Sequence, residues 1–111
     1  MTPLNITHRD AATGPVLHVA GELDYDQAAA LRRQVEDVGL GPGQCLTLDL
    51  AGLEFCDSTG ITVLLAAWQH ARSAGADIVL AAVPSSLRRV FTIVGLDQVF
   101  NLEAGTDASG A

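Results

Sequence analysis

Residues 46–65 open with Leu46-Thr47-Leu48-Asp49-Leu50 and pass through Ala51-Gly52 to Leu53-Glu54-Phe55-Cys56-Asp57-Ser58-Thr59-Gly60. They close on Ile61-Thr62-Val63-Leu64-Leu65. In the first run, Leu46, Leu48 and Leu50 share one face of an extended chain, and with Cys45 the segment is short and apolar enough for an interior strand. Ala51 to Asp57 reads as a tight segment, and a helix begins near Ser58. Ile61, Leu64, Leu65, Trp68 and Ala71 recur at helical spacing as one apolar stripe, which Gly75 closes. A strand handing over directly to a helix is half of a strand–helix–strand unit, so this stretch sets the fold class.

The pattern repeats on both sides. Upstream, Leu4-Asn5-Ile6-Thr7 alternates weakly, as an edge strand would, and Val16 to Ala20 reads as a strand ended by Gly21. Asp24 or Asp26 then caps a helix carrying Ala28, Leu31, Val35 and Val38, with Gly39 after it and Gly41-Pro42-Gly43 as a loop. Downstream, Ile78 to Val83 is another apolar strand. Pro84 and Ser85 open a third helix with Leu87, Val90, Phe91 and Val94 facing inward, stopped by Gly95. Val99 to Leu102 is expected to be a last short strand. The order implies an α/β domain over residues 1–102, with a mixed, mostly parallel sheet of four to five strands covered by helices. Residues 103–111, rich in Gly, Ala, Ser, Thr and Asp, are expected to form a flexible tail.

Composition narrows the function. A chain of 111 residues supports one core, and 49% hydrophobic residues against 17% charged argue for a packed interior. The formal net charge is −7, and all six cations are Arg. Arg32/Arg33 and Arg88/Arg89 are the only adjacent pairs, each within an expected helix, so no cationic cluster for a nucleic-acid backbone emerges; a protein partner is expected instead. Met1 to Asp10 carries no hydrophobic stretch of the signal-peptide kind, and no run approaches a membrane span, so a cytoplasmic location is expected. Cys45 and Cys56 with His8, His18 and His70 do not make metal-ligand spacing, and neither a disulfide nor a cofactor is expected. Cys45 reads as a small buried hydrophobe, and Cys56 as buried rather than reactive.

The chemistry concentrates at Ser58. A serine at the start of a helix that follows a strand projects from the sheet edge and faces free backbone N–H groups that favour an anion. A phosphoryl group there adds about −1.5 to −2 charges without melting the helix beneath it. On spacing alone, Asp57, Ser58 and Thr59 are equally ordinary capping residues, with Gly60 an ordinary glycine. Asp24 is a cap or part of the same partner surface. Asp57 either orients the Ser58 hydroxyl or bonds helix N–H groups. Asp49 points away from Leu48 and Leu50 and is expected to bond loop backbone, and Trp68 falls on the core stripe. A serine nucleophile would need a nearby His and an oxyanion site, and neither a histidine near Ser58 nor a G-x-S-x-G elbow is read. A phospho-aspartate receiver would need a late Lys, which the chain lacks.

Four segments in order give a resemblance. Gly21-Glu22-Leu23-Asp24, Leu48-Asp49-Leu50, Phe55-Cys56-Asp57-Ser58-Thr59-Gly60-Ile61 and Val94-Gly95-Leu96-Asp97 resemble the STAS domain family, named for sulphate transporters and anti-sigma factor antagonists. The resemblance runs from about Val16 to Leu102. It implies a non-enzymatic partner switch in which Ser58 is phosphorylated by a serine kinase that is also the anti-sigma factor, and is reset by a serine phosphatase. Asp24, Asp57, Ser58, Thr59 and Gly60 would form the partner-binding surface, with no catalytic residue, cofactor, metal, membrane or direct DNA contact. The chain departs from the family at Thr59, where Ser or Ala is common, and at Cys56, where an aliphatic is common. A STAS subunit of a lipid or anion transport complex would share the fold, but such domains usually lack the phosphorylatable serine.

Overall fold

The structure, a computed structural model, describes residues 3–96 and 101–104, the last four as strand backbone. Asp97, Val99, Phe100 and residues 105–111, which carry part of the expected closing motif, last strand and tail, lie outside the described residues.

Among the described residues, six strands and three helices follow in the order β1 (Asn5–Ala11), β2 (Gly14–Leu23), α1 (Tyr25–Asp37), β3 (Cys45–Asp49), β4 (Leu53–Cys56), α2 (Ser58–Ser73), β5 (Asp77–Val83), α3 (Ser85–Ile93) and β6 (Asn101–Ala104). The sheet runs β1-β2-β3-β5-β6, with β4 paired to β2 alone. The β1–β2 hairpin is antiparallel, and the pairs β2–β3, β2–β4, β3–β5 and β5–β6 are parallel. The chain is thus an α/β domain with a mixed, mostly parallel sheet, as its strand–helix alternation implied.

Helices cover one face only. Leu17, Val19 and Leu23 of β2, Leu46 and Leu48 of β3, and Leu80 of β5 are fully or almost fully buried. The alternate residues His18, Ala20, Thr47, Asp49, Val79 and Ala81 are half-buried. The crossovers β2→β3→β5→β6 all step in one direction, and right-handed crossovers stepping one way put every helix on the same side. On the open face Asp49 lies between His18 Nδ1, at 2.9 Å, and the Ala51 N–H, which donates at 3.0 Å. The expected bond from Asp49 to loop backbone is therefore present.

Other expectations are corrected. The strand β1 continues past Thr7 to Ala11; His8, Arg9 and Asp10 form a solvated edge that leaves no apolar alternation to read. Gly21 does not end β2 but sits within it at φ +97°, where the register to β4 shifts. A Cβ at Gly21 would collide with the Pro3 carbonyl, so the position requires glycine. The segment 51–57 contains β4. The pairing of β3 reaches only Val16–His18 of the ten-residue β2, and Leu53, Phe55 and Cys56 then take up Gly21, Glu22 and Leu23 on that side.

In α2 the buried line is Gly60, Val63, Leu64, Ala67 and Ala71. Ile61, Leu65 and Trp68 pack at its flank, with the Arg72 guanidinium 5.1 Å above the half-buried Trp68 ring. Leu87 and Phe91 anchor α3, while Val90 and Val94 are exposed because a nine-residue helix ending at Ile93 presents one short stripe. Cys45 is half-exposed, on the open face beside Thr47 and Asp49. Strand β6 ends at Ala104, two residues beyond the expected boundary.

Candidate functional site

Asp24, Asp57 and Pro84 each follow a parallel strand and precede a helix, so all three helix N-termini lie at one edge of the sheet. Asp24 and Asp57 are extended, at ψ −174°, and each caps its helix with a carboxylate. Asp24 Oδ1 accepts from the Gln27 N–H at 3.1 Å. Asp57 Oδ1 accepts from the Gly60 N–H at 2.9 Å. Pro84 supplies no side-chain cap.

Asp57 does more than cap. Its second oxygen, Oδ2, accepts from the Tyr25 N–H at 3.2 Å, at the first residue of α1. One carboxylate therefore ties the N-termini of α1 and α2 together across 32 residues of sequence. The sequence left two roles open for Asp57, and the geometry selects the bonding of helix N–H groups. The Asp57 N–H in turn donates to the Leu23 carbonyl at 3.2 Å, fixing the start of α2 against the end of β2.

Gly60 makes that approach possible. A Cβ there would stand 2.7 Å from Leu23 O, 2.8 Å from Cys56 Sγ and 2.9 Å from Leu23 Cγ, closer than real Cβ atoms come. Gly60 is thus a buried helical residue, enclosed by Leu23 and Cys56. Beside it, Cys56 is buried, and burial, reinforced by the Asp57 charge, pushes its thiol from 9.0 up to about 12. The thiol stays protonated and unreactive, so Cys56 packs, as its apolar setting implied.

Ser58 is the first residue of α2 and is exposed; Thr59 is half-buried. The Ser58 carbonyl accepts from Thr62 Oγ1 at 3.0 Å, while Asp57, one residue earlier, carries the cap. The hydroxyl therefore stands at a positively polarised helix end without being needed to hold it. The histidines are placed elsewhere: His8 meets Asp10 on β1, His18 meets Asp49, and His70 lies in the last turn of α2. His70 is twelve residues along that helix, about 18 Å from Ser58 at 1.5 Å per residue.

Two aromatic residues beside this edge were not read as site residues. Tyr25 is 77% exposed and Phe55 47% exposed. Their signal in the sequence was their position next to the capping residues, outside both apolar stripes. Among the described residues no helix is long and apolar enough to cross a membrane, and no group of three His, Cys, Asp or Glu residues could hold a metal ion.

A sheet of this topology with a capped serine helix at its edge defines a class, and comparison with known proteins agrees. A family model described as Mlab, STAS domain, matches residues 6–103, and the chain belongs to the STAS domain family. Relatives that it matches include anti-sigma factor antagonists. The chain is 30% identical over 87 residues to the anti-sigma-B factor antagonist of Listeria monocytogenes, covering 78% of this chain and 76% of that protein. It is 31% identical over 99 residues to the anti-sigma-F factor antagonist of Mycobacterium tuberculosis, covering 89% and 80%. The crystal structure of an anti-sigma factor antagonist from Mycobacterium paratuberculosis superposes with a TM-score of 0.81 at 27% identity, covering 95% of this chain and 89% of that one.

Proposed function

We propose that this protein is an anti-sigma factor antagonist, a non-enzymatic partner switch controlled by phosphorylation of Ser58. Unphosphorylated, it binds a serine kinase that is also the anti-sigma factor and so frees the sigma factor. Phosphorylated, it is released, and a serine phosphatase resets it. Asp24, Asp57, Ser58 and Thr59 form the contact, with Gly60 holding them in place. The switch acts in the cytoplasm and touches neither DNA nor membrane. The observation that carries this reading is the exposed Ser58 at a helix start whose cap is made entirely by Asp57.

In the transfer, Ser58 Oγ attacks the terminal phosphorus of ATP, ADP leaves, and the hydroxyl proton passes to a base of the kinase. The nucleotide and the base both belong to the partner. The product adds about −1.5 to −2 charges beside the Asp57 carboxylate. The N–H groups of Ser58 and Thr59, which an α-helix start leaves without intrahelical partners, offset part of that charge, so the fold persists. A packed contact that includes the bound nucleotide tolerates it poorly, since like charges brought together at an interface cost several kcal/mol.

Incubation with the cognate kinase and ATP should add one phosphate, located on Ser58 by mass spectrometry. Calorimetry should then show tight binding for Ser58→Ala and weak binding for the phosphorylated protein, with the same circular dichroism. Equal affinities would overturn the switch and favour a subunit of a transport complex.

A further inference from the structure

The four aromatic residues among the described side chains divide sharply. Phe91 is buried in the core and Trp68 is half-buried under Arg72. Tyr25 and Phe55 are exposed, and both lie at the helix-start edge of the sheet. Tyr25 is the first residue of α1, and its N–H is held by the carboxylate of Asp57, the residue before Ser58. Phe55 lies on β4, two residues before Asp57, and its backbone is in register with Glu22 at the end of β2. Exposing a large ring at each of these two positions gives up apolar burial, most of it for Tyr25 and about half for Phe55. Tyr and Trp are also the residue types on which binding energy concentrates at protein interfaces.

We propose that Tyr25 and Phe55 are the apolar anchors by which the protein that phosphorylates Ser58 grips this one; the inference rests on the switch reading above. Charge describes the rest of that partner. The segments 21–31 and 53–60 hold Glu22, Asp24, Asp26, Glu54 and Asp57 and no Arg. The matching face therefore carries two apolar depressions, with basic groups on the rim that lies outside the nucleotide-bearing centre facing Ser58. Anchors of this kind separate the tasks: the rings set how tightly the partner holds, and the charge on Ser58 sets whether it stays.

Ile93 serves as a control: it is as exposed as Tyr25, at 77%, but it ends α3. Eight residues of helix, about 12 Å, separate it from the α3 start and carry it away from the Ser58 edge. The test measures kinase affinity by calorimetry and Ser58 phosphorylation rates for Tyr25→Ala, Phe55→Thr and Ile93→Ala, with urea midpoints as the check on folding. Phe55→Thr puts a strand-favouring β-branched residue in place of the ring, and Tyr25→Ala keeps the N–H that Asp57 holds.

Each aromatic variant should lose at least tenfold in affinity and raise KM by the same factor with kcat unchanged, because a uniform binding contact has been removed. Ile93→Ala should match the wild type. Wild-type affinity in both aromatic variants, alongside normal Ser58 phosphorylation, would overturn the anchors and leave the switch standing. An equal loss in Ile93→Ala would also overturn them. A wild-type protein that neither binds nor is phosphorylated would overturn both readings.

Discussion

Replacing Asp57 should destabilise the fold more than replacing any other capping residue, because its carboxylate serves two helices. Asp57→Ala removes the cap on Gly60 N–H at 2.9 Å and the acceptor for Tyr25 N–H at 3.2 Å. The cap is worth about 1 kcal/mol. The Tyr25 bond is longer and exposed, which puts it at the low end of the net hydrogen-bond range, about 0.5–1 kcal/mol. The sum is about 1.5–2 kcal/mol. Asp24→Ala removes a single cap bond, to Gln27 N–H, and should cost about 1 kcal/mol. Asp57→Asn isolates the link between the helices. Asn caps as well as Asp, but its amide offers one acceptor oxygen and turns a donor toward the other N–H, so the loss should be about 0.5–1 kcal/mol. With a urea m-value of about 2 kcal/mol/M, Asp57→Ala should lower the midpoint by about 0.8–1 M and Asp24→Ala by about 0.5 M. Amide exchange should quicken at Tyr25 in both Asp57 variants and stay unchanged in Asp24→Ala. If Asp57→Ala costs no more than Asp24→Ala, or Tyr25 protection survives Asp57→Asn, the bridging carboxylate is not what joins α1 to α2.

Packing and the thiols set the remaining outcomes. Gly60→Ala should cost about 1–3 kcal/mol in urea titration, since its Cβ would press on Leu23 and Cys56; Ser58→Ala, at an exposed first-turn position, should stay within about 0.5 kcal/mol. Leu64→Ala should cost about 2–5 kcal/mol by the same measurement, and Trp68→Ala less than Leu64→Ala, because only Leu64 is fully buried. Burial, with the Asp57 charge, pushes the Cys56 thiol from 9.0 up to about 12 in the folded state, so above pH 9 the unfolded chain binds fewer protons and stability falls as pH rises toward 12. Thermal melts across that range should show a shallower decline for Cys56→Ala than for the wild type, and a thiol reagent should label half-exposed Cys45 before Cys56.

Recognition of the site depended on local chemistry. Asp24 and Asp57 reveal themselves because a cap is a contact between a side chain and an N–H three residues on, a distance visible in the sequence. Leu46, Leu48 and Leu50 reveal a one-sided strand through a period of two. The position of Ser58 at a helix start follows from those two readings alone.

The missed features depend on contacts across long sequence separations. The Leu53–Cys56 strand has outer residues buried and inner residues exposed, a pattern of neither helical nor strand period, and it exists because β2 outruns β3. The open face of the sheet arises from three crossovers turning the same way, which no single segment encodes. Asp57 meets Tyr25 only once β2 and β4 lie side by side, and Gly60 is confined only by Leu23 of β2 and Cys56. The sequence by itself thus determined the helices, the apolar strands and the serine that faces outward, with Asp24 or Asp26 and Asp57 as candidate caps, because each is set by neighbours within a few residues. Tertiary structure decided the sixth strand, the uncovered face, the shared cap and the exposed aromatic pair, because each depends on which distant backbone a segment meets.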